Sequence, residues 1–584
     1  ILIGNAAGYA ISSSGANGTV AIGDEAGHDL TSGGYNVLIG YQAGDKITDA
    51  HSNVGIGYGV LGALQGGSTP AGDYIAIGIA AGANLSGAQY GRCIAIGSYA
   101  LNHGYAAQYS IAIGYQALHY ATGSNNIGIG KWAGRSMGQN TAPYASGHRN
   151  ISIGTESNYN LSTGGDNTSI GYQAGYLISS GSDNVVMGYH AGYSLGGTQY
   201  NVMIGDFAGA LSNTINNRHT YVGYNSGRYI DTGLANVAIG YNAMKSTSAT
   251  NQNASYNTAV GYVALESITD SDYNTAIGQA AGQNIEGGSG QNVFIGNSAG
   301  QASVTSANNV MIGVSAGLVA TDVDKTVLIG WNAGRNTTAD ATIAIGWEAG
   351  KANTSGAGNT VIGFKAGLSL VDDSYNTFLG YQAGMMAEGG ANAANVYIGY
   401  LAGYQVDDGV SNIAIGREAM ESSTAGGNDA SYNVAIGDRT LESITDGDKN
   451  ISIGYEVGKS ITTGINNISI GHLANDGTTT GGQNIAIGAD ALGNNVVGGY
   501  MTAVGFNALQ YSGQRGGATA NIFAVGIGTQ AGAYQTGSYN TFVGDYAGKG
   551  SQTSAPYGSG TALTAVGAYA LGNTVSGDFN TAVG

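Results

Sequence analysis

Asn36-Val37-Leu38-Ile39-Gly40-Tyr41-Gln42-Ala43-Gly44 carries the reading of the whole chain. Val37 and Ile39 alternate with Leu38, which is the period of a β-strand and not of a helix. A glycine at position 40 and another at 44 reinforces this, since each Gly inside a helix costs about 1 kcal/mol relative to Ala. The stretch therefore predicts a strand of about five residues that ends at a corner. Gly40 suits the corner because glycine takes positive φ without steric cost.

The same pattern returns along the chain. Ile-Gly or Val-Gly dipeptides place anchor glycines at Gly4, Gly23, Gly40, Gly57, Gly78, Gly97 and Gly114 and onward to Gly584. The commonest step is about 17 residues, as in Gly154, Gly171, Gly188 and Gly205. Longer steps separate Gly57 from Gly78, Gly130 from Gly154, Gly240 from Gly261, Gly416 from Gly437, Gly505 from Gly526 and Gly544 from Gly567. The register returns after each, so they read as insertions at one edge of a common repeat. Residues 1–584 form one continuous repeat array, read as a fragment of a longer fibre protein because neither end departs from the repeat as a solenoid cap would.

A step of this length leaves room for two short strands and two turns, hence one coil of an all-β, parallel β-solenoid or β-roll with coils of about 17 residues. Stacked coils bring like residues into columns. Ile39, Ile113, Ile170, Ile239, Ile415 and Ile487 are expected to fill the interior, with Val37 and Val54 beside them, and Gly40, Gly114, Gly171, Gly240, Gly416 and Gly488 to mark the corner. Asn36, Asn53, Asn167, Asn184, Asn236, Asn412, Asn467 and Asn484, each four residues before an anchor, are expected to stack as a side-chain amide ladder. Ala43, Ala238, Ala414 and Ala486 would give a small-residue face against which copies of the chain pack.

Composition excludes several other classes. With 104 Gly but only 3 Pro, and no glycine at every third place, the chain is not collagen. Its regularly spaced hydrophobic residues, 42% of the total, are too many for simple disorder. A net charge of −18 leaves no basic footprint for nucleic acid, and no run of sequence reads as a membrane insertion. One cysteine, Cys93, rules out an intrachain disulfide. The phosphate-loop lookalike Gly454-Tyr-Glu-Val-Gly458-Lys459-Ser460 sits in an ordinary repeat and lacks the strand-to-helix context. The eight histidines show no metal-ligand spacing, so no catalytic residue, metal or cofactor is expected.

The units Asn236-Val-Ala-Ile-Gly240, Asn412-Ile-Ala-Ile-Gly416 and Asn484-Ile-Ala-Ile-Gly488, with Ala three residues on, resemble the head repeats of trimeric autotransporter adhesins of the YadA type. Asn167 to Gly175 and Asn376 to Gly384 are similar to repeats of phage tail-fibre and virion structural proteins. The autotransporter repeat is usually shorter, with its Asn one residue further from the Gly, and the Tyr-Gln-Ala-Gly half here fits the phage version better. This resemblance implies a left-handed roll, a homotrimer, and an extracellular place on a virion or cell surface.

The expected function is thus a structural attachment fibre, a tail-fibre shaft, with a bacterial surface adhesin as the neighbouring alternative. An ice-binding solenoid fits less well, because Thr168, Thr258, Thr275 and Thr360 alternate irregularly with Val and Ile in their column. Partners would be the chain itself and a surface glycan or protein receptor. Two insertions share an Ala-Pro-Tyr turn, making Pro143, Tyr144, His148, Arg149, Pro556 and Tyr557 the candidate contact residues. Many of the 39 tyrosines follow the anchor or precede the Asn, where rows of rings would either stack on sugars or cover strand ends and stiffen the fibre.

Overall fold

The computed structural model describes every residue except 13–15, 65–71, 86–90, 104–106, 138–146, 213–217, 247–251, 289, 389–392, 423–427, 513–520 and 552–557. The chain is a parallel β-solenoid with no α-helix among the described residues. It divides into two compact units, Ile1–Ile295 and Gly296–Gly584. Both are built from the same coil. In the first, Val37, Leu38 and Ile39 pair in parallel with Val54, Gly55 and Ile56. In the second, Val310, Met311 and Ile312 pair with Val327, Leu328 and Ile329.

Each coil contributes one short strand, three residues long in Val37–Ile39, five in Ile451–Tyr455 and Ile468–His472, six in Gly499–Val504 and seven in Asn521–Ile527. The expected second strand is absent from the described coils. In its place, Tyr-Gln-Ala-Gly and the residues after it make a run of turns. Gln42, Gly44 and Ser52 take φ of 52°, 62° and 61° in one coil. Left-handed backbone is unfavourable for the non-glycine residues. It is held here because the amides of Gln42 and Ser52 donate to the carbonyls of Asp24 and Gly34 in the coil before, each at 3.0 Å.

The anchor glycine is required for two reasons. Gly40 sits at φ 134°, and a Cβ there would lie 2.4 Å from the carbonyl oxygen of Gly57. No side chain fits where two coils come this close. The anchor after Gly505 is Gly528 and not Gly526: Gly526 pairs with Ala503 in mid-strand, and Gly528 takes φ 128°.

The interior differs from expectation. The middle residue of each strand points inward, so Leu38, Ala238, Ala414 and Ala486 are fully buried. Ile39, Ile113, Ile170 and Ile415 are half-buried, while Ile239 and Ile487 are 40% and 38% exposed. Alternation fixes the two faces but not which is inside. The coil is too narrow to hold both large columns, so the single middle column goes in and the flanking pair goes out. A second buried column comes from the turns, where Leu30, Ile47, Leu161, Ile178, Leu195, Ile268 and Ile461 lie seven residues after the anchor glycine. Ala43 is likewise interior. The small-residue face expected to meet other copies is therefore the core, and it is closed to them.

The amide ladder is present. Asn36 Oδ1 accepts from both the backbone N–H and the side-chain Nδ2 of Asn53, at 3.0 and 2.9 Å. Asn36 Nδ2 donates to the carbonyls of Gly33 and Ala50 at 3.1 and 2.9 Å. The same bonds run through Asn150, Asn167, Asn184 and Asn201, and through Asn433, Asn450 and Asn467.

This inversion of inside and outside gives a paired test. Ala238→Asp should bury an unpartnered carboxylate and open several coils, at a cost of a few kcal/mol. Ile239→Asp should leave backbone protection around Gly240 intact. Hydrogen exchange across residues 220–262 reads the difference, and equal loss of protection in both variants would overturn the assignment of the interior.

Candidate functional site

Since the strand's middle residue and two turn columns fill the interior, the outer surface consists of the flanking strand residues, the turn residues and the insertions. The strand face is uniform. From Val20 to Thr581 the residue before the buried one is always Val, Ile or Thr, and the residue after it Ile, Val, Leu or Met. No charge interrupts these two columns.

Beside them run the aromatic rows. Tyr41 stacks on Tyr58 with ring centroids 5.5 Å apart and planes within 11°. Tyr172 stacks on Tyr189 at 5.4 Å, Tyr224 on Tyr241 and Tyr241 on Tyr262 at 5.3 Å, and Phe364, Tyr381 and Tyr400 form another run. The row before the Asn behaves alike, with Tyr256 on Tyr273 at 5.0 Å. A third row, Tyr159, Tyr176 and Tyr193, lies five residues past the anchor. In all these runs neighbouring rings lie face to face. Offset stacking of this kind is worth about 0.5–1.5 kcal/mol per pair beyond burial. Such rows offer edges and hydroxyls outward, so they brace the coils and leave little face for a sugar.

The candidate contact loops divide. Pro143, Tyr144, Pro556 and Tyr557 lie outside the described residues. His148 Nδ1 accepts the backbone N–H of Ser124 at 2.9 Å. Arg149 holds Asp166 with two hydrogen bonds, Nε to Oδ1 at 2.6 Å and Nη2 to Oδ2 at 2.7 Å. Both residues tie neighbouring coils together. Cys93 occupies the Asn column, fully buried, its thiol donating to the carbonyl of Ala107 at 3.2 Å. Burial pushes that thiol up to about 11, so it is inert at neutral pH.

Three carboxylates, Glu418, Glu421 and Glu442, converge closely enough to suggest a cation site. Two of them are already ion-paired, and burial, then Glu418 and Glu442, raise the carboxyl of the third, Glu421, above its usual value. Arg439 binds Glu418 at 2.8 Å and lies 3.7 Å from Glu442, Arg417 lies 3.3 Å from Glu418, and Lys459 lies 3.5 Å from Glu442. The same Lys459 belongs to the phosphate-loop lookalike. It pairs with Glu456 at 3.3 Å, in a segment that is strand and turn.

Asp373 was not legible as unusual in the sequence. It sits where other coils place Gly33, Ala50, Gly164 or Gly181, and its backbone carbonyl serves the ladder by accepting from Asn359 Nδ2 at 2.6 Å. Its side chain is fully buried with neither oxygen hydrogen-bonded. Burial above all, then the charges of Asp372, Asp408, Asp407 and Glu388, pushes its carboxyl up to about 7. Asp476 is raised by burial and Asp490, to about 6.

No protein-family model matches the chain, and no curated protein matches it in sequence.

Asp373 makes stability depend on pH in a definite direction. Its folded value lies above the unfolded one near 4, so between about pH 4 and 7 the folded chain binds the extra proton. Stability from this group is full below that window and is lost as pH rises through it. Asp373→Asn should stabilise the coils around Asn359 and Asn376 at pH 8 by on the order of a few kcal/mol and change little at pH 4. Urea unfolding of both forms at the two pH values measures this, and an equal effect at both would count against it.

Proposed function

We propose that the chain is the shaft of an extracellular attachment fibre, carried on a virion or cell surface, in which three copies associate through the outward Val, Ile and Thr columns. The uncharged strand face is the observation that carries this reading. Exposed apolar patches of such length are uncommon on isolated soluble chains and mark contact surfaces. Two half-exposed aliphatic side chains per coil amount to roughly 100 Å² of apolar surface. About eight coils would then supply the ~800 Å² that one partner contributes to a standard interface, and each unit has more than that. A second copy is the natural occupant, because only a partner with the same coil spacing stays in register along the whole face.

The repeat also suits mechanical work. Coil contacts are local, so damage stays local, and length is gained by adding coils. Insertions and surface positions can change without touching the interior, which is what attachment to varied hosts demands of a fibre.

Sedimentation of the intact chain tests the association. Three-chain assemblies are expected, and Ile239→Asp combined with Ile277→Asp should lower the mass while leaving the coils folded by circular dichroism. A folded, stable monomer at micromolar concentration would end the proposal, as would unaltered assembly of the double variant.

A further inference from the structure

The aromatic rows lose their regular stacking around Trp132, and again around Phe207, which meets Tyr189 at 72° and Tyr224 at 88°. Tyr99 meets Tyr115 edge to face at 88°, Tyr115 meets Trp132 at 57°, and Trp132 meets Tyr159 at 77°, all with centroids 6.3 Å apart. Rings so tilted no longer cover one another. Tyr115 is 44% exposed, no more than the stacked Tyr41, and the half-buried Trp132 indole has the ammonium of Lys131 3.8 Å from its centre.

The arrangement is held from beneath. Gln116 Oε1 accepts from Trp132 Nε1 at 2.9 Å and from Arg135 Nε at 3.1 Å, which fixes the indole and the guanidinium together. Arg135 lies between Tyr120 and Tyr159, 5.6 and 5.4 Å from their centres, and donates from Nη1 to the Tyr159 hydroxyl at 2.7 Å. Aromatic faces and cations are thus oriented before any ligand arrives.

Charge singles out the same coils. Between Asp73 and Glu156 the sequence has no acidic residue, although the chain as a whole carries 36 acidic against 18 basic residues. Of the four cations in that stretch, Arg92 pairs with Asp73 at 3.4 Å and Arg149 with Asp166 at 2.6 Å. Lys131 and Arg135 form no ion pair with a carboxylate among the described residues. They leave a local positive field on an acidic molecule.

We propose that Tyr115, Lys131, Trp132 and Arg135 form a binding platform for an acidic polysaccharide, the ring faces taking the sugar and the two cations its carboxylate groups. The proposal rests on the attachment reading and names the receptor chemistry. Nucleic acid is disfavoured, because two cations on a chain of net charge −18 fall short of the phosphate contacts it needs.

Calorimetric titration of the intact chain with polygalacturonate tests this, with dextran as the neutral polysaccharide and poly-glutamate as the acidic peptide. Polygalacturonate should bind, more weakly as salt rises, and dextran should not. Lys131→Gln and Arg135→Gln should each weaken binding about tenfold, and Trp132→Ala should remove it. Lys365→Gln, a lysine set beside Phe364 and Glu348 elsewhere in the chain, should change nothing. Circular dichroism checks that each variant folds, and if Trp132→Ala does not, the two charge variants decide. Equal binding of dextran, equal binding of poly-glutamate, or charge variants that bind as the parent does would each overturn the platform. Binding to intact cells separates the two proposals. Attachment that survives Lys131→Gln and Arg135→Gln unchanged overturns the platform and spares the fibre. Polygalacturonate binding lost in those variants, by a chain that attaches to no cell, upholds the platform and removes the fibre.

Discussion

Most coils depend on a buried amide that must bond in three directions. In the column of Asn36 and Asn53, the side-chain oxygen receives two donors from the next coil while the nitrogen closes the turn of its own coil and the next. An unmet buried amide costs about 1–3 kcal/mol. The column changes in several coils, among them three in which the backbone bond survives. Tyr74, Met501 and Leu563 take the place of Asn, yet the backbone N–H of each still donates to the preceding Asn Oδ1, at 3.1, 3.1 and 2.8 Å. At His219 the role is kept by other means: its Nδ1 accepts the N–H of Asn236 at 3.1 Å. Burial holds this imidazole far below its usual range, so it stays neutral and can accept.

With that corner fixed, the narrow interior must adapt to what each strand puts into it. The middle residue ranges from Gly55 and Gly128 to Phe294, Phe378 and Tyr397. Neighbouring turn positions compensate: Gly227 lies against the Tyr221 ring and Gly403 against that of Tyr397, where an added Cβ would come within 2.4 and 2.5 Å. Where the middle residue is Ser, the core becomes polar and closes its own bonds, Ser169 to Asn158 at 2.7 Å and Asn158 to Ser152 at 2.9 Å. Ser452, Tyr221 and Tyr397 are exceptions, since their buried hydroxyls make no hydrogen bond.

Period, corner glycine and amide column were legible because each leaves one residue type at one spacing. The inside of the strand was not, because Val37, Leu38 and Ile39 are all apolar and hydrophobicity alone favours burying the larger pair. The column of Ile47, Leu161 and Ile178 did carry the missing signal, recurring seven residues after the anchor glycine, and counting it would have shown that the coil had core enough without Ile39. For the tyrosines, spacing gave the rows but not the tilt of the rings. Whether a ring face is covered depends on the neighbour one coil away, as the contrast between Tyr172 on Tyr189 and Tyr115 on Trp132 makes plain. Asp373 was hidden for a related reason, since only the fold tells which acidic residue of the Asp372-Asp373 pair turns inward.

These constraints leave few free positions in a coil. The strand triplet, the Asn, the anchor Gly and the buried turn residues are set by packing, so variation collects in the turn residues after the anchor and in the stretch where insertions enter. Because residues at one such position stack from coil to coil, a local change in composition becomes a continuous strip with one chemical character. The stretch between Asp73 and Glu156 is thus free of acidic residues on an acidic chain, while Arg417, Asp438, Glu418 and Arg439 make a strip of alternating charge that satisfies itself. The same coil can in this way carry surfaces of opposite behaviour along its length without any change of fold.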